Sequence, residues 1–249
     1  MGKVTLGCCV FTVQDAFNKA PYDTLYKLAD MGYESTEIGD FSIIGVSDWK
    51  AALKRTGLTM DCLHFSIEFQ ESWSSVCMEI ASALGVRYIG YPMLRGGKRD
   101  AEQFKYEAGV LNRLGAIYRD NGFQMIYHNH DVEFTMCDGV YGLDILRENT
   151  DPDLVWFELD THWISRGGAD PADTIRRFGS RAAIIHCKDK TEDDFFAPVG
   201  EGVLDFPGIV KAALESGVKR FIVEQDAHRK PSLECARVSY AAMSKLLGK

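Results

Sequence analysis

Two histidines and two acids close an apolar run in this chain, where Phe123 to Tyr127 give way to His128, Asn129, His130, Asp131, Val132 and Glu133. Three later runs end the same way. Leu154 to Phe157 lead through Glu158 and Leu159 to Asp160, Ala182 to Ile185 lead to His186, and Phe221 to Val223 lead to Glu224. A hydrophobic stretch that turns abruptly polar reads as a buried strand surfacing into a cavity. Four such ends would deliver Glu133 (or a neighbouring histidine), Asp160, His186 and Glu224, and oxygen and imidazole donors of this kind suit a divalent metal. Each residue alone has an ordinary explanation: Asp160 as a helix N-cap, Glu224 as a solvated rim carboxylate, His186 as a core histidine bonded to a carbonyl. Together they favour the metal, because ionisable groups at four equivalent strand ends are costly to bury unless paired or metal-bound.

Further polar groups stand near these ends. His128 and His130 are two apart and project to one strand face, with Asn129 on the other. Lys188 shares a face with His186 and can hold an oxyanion or a sugar hydroxyl, or simply pair with Asp189 or Glu192. His64 and Glu37 end earlier strands and can line the same mouth. Trp163 and Phe11 can stack on the C–H face of a sugar, although core packing explains either one singly. Residues 199–206 are Gly-rich but lack a phosphate-loop pattern; the stretch from Asp193 to Phe206 is expected to cover the site as a loop that excludes water. Arg95, Lys98, Arg99 and Arg166 offer either a phosphate site or solvated loop charge.

Positioning such groups takes a repeated architecture. Short β-branched runs (Val4 to Phe11, Tyr33 to Ile38, Leu58 to Phe65, Val86 to Met93) alternate with helical patterns at Tyr22 to Met31, Ser47 to Thr56, Trp73 to Leu84 and Asp100 to Asn121. The four strands named first continue the rhythm with helices at Leu143 to Asn149, Pro171 to Phe178, Phe206 to Ser216 and Ser232 to Leu247. Eight strand–helix units without a linker predict an α/β fold, a closed (β/α)8 barrel whose strand C-termini share one face. No Gly-x-Gly-x-x-Gly follows the first strand, so a dinucleotide-binding sheet is not indicated.

Composition narrows the partners. With 28 Lys and Arg against 36 Asp and Glu in 249 residues, the net charge is -8 with no basic block, which argues against nucleic acid and for a small molecule. The 7 cysteines show no Cys-x-x-Cys spacing and predict neither disulfides nor a zinc knuckle. Met1 to Phe11 show no cleavage site or membrane-length run, and Leu6 stands where a myristoylation signal wants Ser or Thr. The expectation is a cytoplasmic protein with no membrane partner, homo-oligomerisation left open.

At Tyr-His-Asn-His-Asp-Val-Glu-Phe (127–134), Leu-Asp-Thr-His-Trp (159–163), His-Cys-Lys-Asp (186–189), Gly-Glu-Gly-Val-Leu-Asp-Phe (200–206) and Val-Glu-Gln-Asp (223–226) the chain resembles the sugar phosphate isomerase/epimerase family, the xylose isomerase-like barrels. The resemblance covers roughly the second half and implies one barrel domain over residues 1–249. It also implies a divalent metal, often manganese, with magnesium, zinc or cobalt as alternatives, held by Asp160, His186, Glu224 and a fourth carboxylate from strand five. The commonest version has a Glu directly at that strand's end; here His128 stands near that register, and Glu133 is the nearest usable carboxylate and the preferred ligand, with a histidine in its place as the alternative.

The function expected is that of a metal-dependent isomerase or epimerase of a sugar or keto-sugar in carbohydrate metabolism. A base removes the α-proton to give an enediolate and an acid returns a proton elsewhere, with Glu133 and Glu224 as the pair. His64, His128, His130, His162 and Lys188 would bind hydroxyls or the developing oxyanion. A lyase or dehydratase is the alternative, sharing the first step. Abasic-site endonuclease action is disfavoured by the charge, and a non-catalytic sugar binder by the number of convergent ligands.

Overall fold

A computed structural model describes residues 3–39 and 44–249. Met1 and Gly2, considered above for an N-terminal signal, lie outside the described residues. Eight parallel strands close into a barrel: β1 (Thr5–Cys9), β2 (Ser35–Ile38), β3 (Thr59–His64), β4 (Tyr88–Tyr91), β5 (Gln124–His128), β6 (Val155–Asp160), β7 (Ala182–Cys187) and β8 (Arg220–Val223). Each pairs with its neighbours in sequence, and β1 pairs with β8 to close the ring.

Helices return the chain between strands: α1 (Pro21–Met31), α2 (Val46–Thr56), α3 (Ile67–Leu84), α4 (Ala101–Asp120), α5 (Gly142–Asn149), α6 (Pro171–Phe178), α7 (Phe206–Glu215) and α8 (Ser232–Leu246). The α6 limits follow from local chemistry. Asp170 accepts from Asp173 N, Pro171 needs no amide partner at the first turn, and Gly179 ends the helix at positive φ. The expected start of α3 at Trp73 is corrected to Ile67: Ser66 caps it by accepting from Phe69 N, and Trp73 is a non-helical kink at φ -137°, ψ 38°. The expected long first strand is shorter, because the backbone winds into a 3-10 turn at Val10–Val13.

Inward-facing side chains fill the barrel axis in layers, as closure requires. Cys62, Tyr88, Ile126, Ile184 and Ile222 form an apolar plug with Cys9. Glu37, His64, His128, Glu158, Asp160 and His186 are buried at or near the C-terminal strand ends. Among the described residues no helix is long and apolar enough to cross a membrane.

Candidate metal centre

The period-2 rule that puts Asp160 inside also turns Glu158 inside, two residues earlier on β6. In the barrel, β5 pairs His128 with Glu158 and β7 pairs His186 with Asp160. Four donors then converge: one atom each from His128, Asp160, His186 and Glu224, all within 4.8 Å of one another. His128 Nε2 lies 3.1 Å from His186 Nδ1, and His186 Nδ1 lies 2.9 Å from Glu224 Oε2. Asp160 Oδ2 stands 3.6 Å from His128 Nε2 and 3.9 Å from His186 Nδ1.

Asp160 serves two purposes, one per oxygen. Its Oδ1 accepts from Trp163 N at 2.9 Å as the cap of the short helix Thr161–Arg166, while Oδ2 faces the cluster. The amide of Asp160 donates to Asn129 Oδ1 at 3.0 Å, so the strand end cannot rotate freely. Thr161 Oγ1 donates to the Lys188 carbonyl at 2.8 Å and accepts from the Lys188 amide at 3.0 Å, locking the ends of β6 and β7 together.

Lys188 lies inside the same constellation. Its Nζ is 3.0 Å from Asp160 Oδ2, 2.7 Å from Glu224 Oε2 and 2.8 Å from Asp226 Oδ1. Burial opposes its charge, but Asp160, Glu224 and Asp226 outweigh burial and hold the ammonium well above its ordinary pKa. The same exchange fixes the acids. Burial opposes ionisation of Asp160, yet Lys188 and His128 bring it down to about 2. Glu224, also opposed by burial, is held well below the usual carboxylate range by Lys188 and His186. Asp226 goes the other way: burial and the Glu224 charge push it up to about 6 against Lys188. His130 is pressed down to about 3 by burial and by His128, which leaves it neutral at neutral pH.

These groups open onto a cavity of about 280 Å³ lined among others by His64, His128, His130, His186, Lys188, Glu224 and Asp226. Of the residues expected to bind substrate, His64, His128, His130 and Lys188 therefore face one space. His162 does not. It is fully buried and stacks on Phe196 with ring centroids 4.4 Å apart.

Glu133 is likewise corrected as a ligand, because the structure does not bring it to Asp160, His186 and Glu224. Its Oε1 accepts from the Tyr127 hydroxyl at 2.6 Å and its Oε2 from the His130 amide at 2.6 Å, so both oxygens are spent on shaping the turn after β5. Both oxygens are so occupied, and Glu133 is not among the residues that line the cavity. His128 takes its place in the donor set.

The loop expected to cover the site is also different. Asp189 accepts from the amides of Gly200, Gly202 and Leu204 at 3.1, 3.2 and 3.2 Å and ties the loop down. None of residues 193–206 lines the cavity, and Phe196 instead stacks on His162 with its ring centroid 5.9 Å from Lys188 Nζ. Arg95 pairs with Glu71 at 2.6 Å and Glu107 at 3.4 Å, and Arg166 with Asp131 at 3.2 Å, which engages two of the cations considered for a phosphate.

Two further acids gain weight once the barrel is closed. Glu37 Oε1 lies 3.0 Å and Glu158 Oε1 3.1 Å from His186 Nε2, on the ring edge away from Glu224. A metal-ligating histidine ordinarily gives its second ring nitrogen to a carboxylate, which fixes its tautomer. The donors fit a divalent cation on this ground, and on another: Asp160 Oδ2 is buried, and its contacts are the Lys188 ammonium and the two imidazole nitrogens rather than a well-aligned hydrogen bond.

The sequence and the fold are similar to those of known proteins. Inosose dehydratase of Geobacillus kaustophilus is 25% identical over 266 aligned residues, covering 89% of this chain and 84% of its own. With several other inosose dehydratases the match spans about half of either chain. A sugar phosphate isomerase/epimerase from Parabacteroides distasonis superposes with a TM-score of 0.85 at 26% identity, over 97% of this chain and 93% of its own. The crystal structure of the IOLI protein with a binding zinc atom shares the fold, with a TM-score of 0.78 at 16% identity and 98% coverage of each chain. A family model for the xylose isomerase-like TIM barrel matches residues 25–245, and the chain belongs to that family.

Proposed function

We propose that this protein is a divalent-metal-dependent enzyme that removes a proton α to the ketone of a sugar or cyclic polyol, and that elimination of water completes the reaction. The observation that carries the reading is the convergence of His128, Asp160, His186 and Glu224 beside a cavity that His128, His186 and Glu224 line together with Lys188 and Asp226. Similarity to inosose dehydratases along 89% of the chain supports elimination as the second step.

A cation bound by those four side chains would polarise the ketone oxygen and the neighbouring hydroxyl as a Lewis acid. The protein's own groups supply the rest. Glu224, kept ionised beside Lys188, would accept the α-proton, and Lys188 would balance the negative charge that develops on oxygen. Asp226, 2.8 Å from Lys188 and in the cavity lining, is the second carboxyl that can deliver a proton to the departing hydroxyl. His130 is held neutral and its Nδ1 is buried without a partner, so it can serve a substrate hydroxyl.

Isomerisation or epimerisation is the second reading, favoured by the likeness to the Parabacteroides distasonis protein. It shares the first step and differs in returning the proton to carbon. Incubating the metal-loaded protein with a cyclic polyol ketone and with ketohexoses in deuterated water separates the two. Elimination gives an unsaturated ketone seen by ultraviolet absorbance, and isomerisation gives deuterium in a recovered sugar of changed configuration. Finding neither an unsaturated product nor deuterium in any recovered ketone, with metal bound, would sink both.

A further inference from the structure

A second donor group lies beside the first. Glu37, Cys62, His64 and Glu158 each offer one ligand atom, and these four atoms also lie within 4.8 Å of one another. All four residues are buried, and Cys62 and Glu158 are fully so. His64 Nε2 is 2.8 Å from Glu158 Oε2 and 3.2 Å from Glu37 Oε1. Glu37 Oε2 is buried without a partner, and the contacts that His64 Nε2 and both Glu158 oxygens make are ion-pair contacts between histidine and carboxylate rather than well-aligned hydrogen bonds. An acceptor left without a partner at such depth, as Glu37 Oε2 is, costs about 1–3 kcal/mol unless something else satisfies it.

The backbone is adjusted where this group sits. The β2–β3 register shifts between Thr36 and Ile38, which flank Glu37, and the β6–β7 register shifts between Phe157 and Glu158. Such irregularities re-aim side chains near functional sites. On β4, Gly90 leaves the necessary space: a Cβ there would lie 2.8 Å from His64 Cδ2 and 3.0 Å from Cys62 Sγ.

We propose that Glu37, Cys62, His64 and Glu158 hold a second divalent ion of the zinc class, ligated by four protein side chains beside the site of the proposed reaction. One thiolate, one imidazole and two carboxylate oxygens suit zinc or cobalt better than magnesium or manganese. Four protein ligands leave no open position, which marks a structural ion. Loading releases the Cys62 thiol proton to solvent, because the thiolate is the ligand. His186 joins the two centres, with Nδ1 toward Glu224 and Nε2 toward Glu37 and Glu158. The competing account has no ion: protonated His64 and His186 would neutralise the two glutamates.

Titration of the chelator-stripped protein with cobalt(II) decides between them. Two equivalents are expected, one of them bringing a thiolate-to-cobalt charge-transfer band in the near ultraviolet. Cys62→Ser should lose that band and one equivalent, whereas Asp160→Asn should keep the band and lose the other equivalent. Because the band belongs to Cys62 alone, its fate is separate from that of the catalytic reading. A wild-type protein that takes up one equivalent without the band overturns the second ion, as does a band that survives Cys62→Ser. Should that variant not fold, anomalous diffraction at the zinc edge from the wild-type protein decides the same question: two peaks support the proposal, and one peak away from Cys62 refutes it.

Discussion

His128 Nε2 points at His186 Nδ1 across 3.1 Å, with the two rings tilted by 57°. Two imidazole nitrogens so placed either share a proton or turn their lone pairs toward one cation, and Asp160 Oδ2 and Glu224 Oε2 beside them favour the cation. His128→Ala should therefore weaken cation binding by more than the roughly 10–100-fold that loss of an outer-shell partner costs. His128→Glu, which restores an anionic donor at the end of β5, should bind one equivalent at this centre. Calorimetric titration with manganese and with zinc checks both; unchanged affinity in His128→Ala would remove this residue from the ligand set.

Glu133 should behave as a structural residue. Glu133→Gln can still accept from the His130 amide and donate to the Tyr127 hydroxyl, so metal stoichiometry should stay at the wild-type value. Burial raises the Glu133 pKa despite the bonds from Tyr127 and His130. With the folded value above the unfolded one, its stabilising contribution is complete below the unfolded carboxyl pKa and is lost as pH rises through the folded value. The neutral variant lacks that loss. Any deficit in the stability of Glu133→Gln, within about 1–3 kcal/mol and read from Tm, should then narrow as pH rises through the raised value. A deficit that widens with pH, or loss of bound metal, contradicts this account.

The barrel and three of the four converging side chains are legible in the sequence because they rest on local pattern. Asp160, His186 and Glu224 each end a strand whose apolar run is visible. Glu133 misleads because its partner Tyr127, six residues earlier, claims it only once the turn after β5 has folded. Glu158 obeys the same alternation as Asp160 and is readable from it, but Glu37 meets His186 only through a ring closure across 149 positions of sequence. The register shifts beside Glu37 and Glu158 arise from strand pairing and leave no mark on composition or period.

Gly90→Ala tests the space around His64. The new Cβ would stand 2.8 Å from His64 Cδ2 and 3.0 Å from its Nε2, so a buried ring hemmed in by Glu37 and Glu158 must move. Overpacking of this kind costs about 1–3 kcal/mol, and for a domain of this size each kcal/mol lowers Tm by about 2–4 °C. A thermal scan of the metal-free protein should show that loss. A Tm equal to wild type would mean that the ring yields freely and is not held by the carboxylates.

Glu224 is where ligand and base coincide, and a single substitution separates the two roles. Glu224→Gln keeps an oxygen for the cation while removing the anion that takes the proton, and it also deprives Lys188 of its contact at 2.7 Å, leaving Asp160 and Asp226 to balance that ammonium. Exchange of the substrate α-proton with solvent deuterium should fall by more than the roughly 10²–10⁴-fold ascribed to general base catalysis, because the cation is disturbed as well. Metal affinity should fall less than the exchange rate. In Asp160→Asn the two should fall together, since Oδ2 faces the donor cluster and Oδ1 is committed to the Trp163 amide. Metal content measured beside exchange in both variants gives the comparison. Near-normal exchange in Glu224→Gln with the metal bound would assign the proton to another group in the cavity, and Asp226, 2.8 Å from Lys188, would be the next carboxylate to substitute.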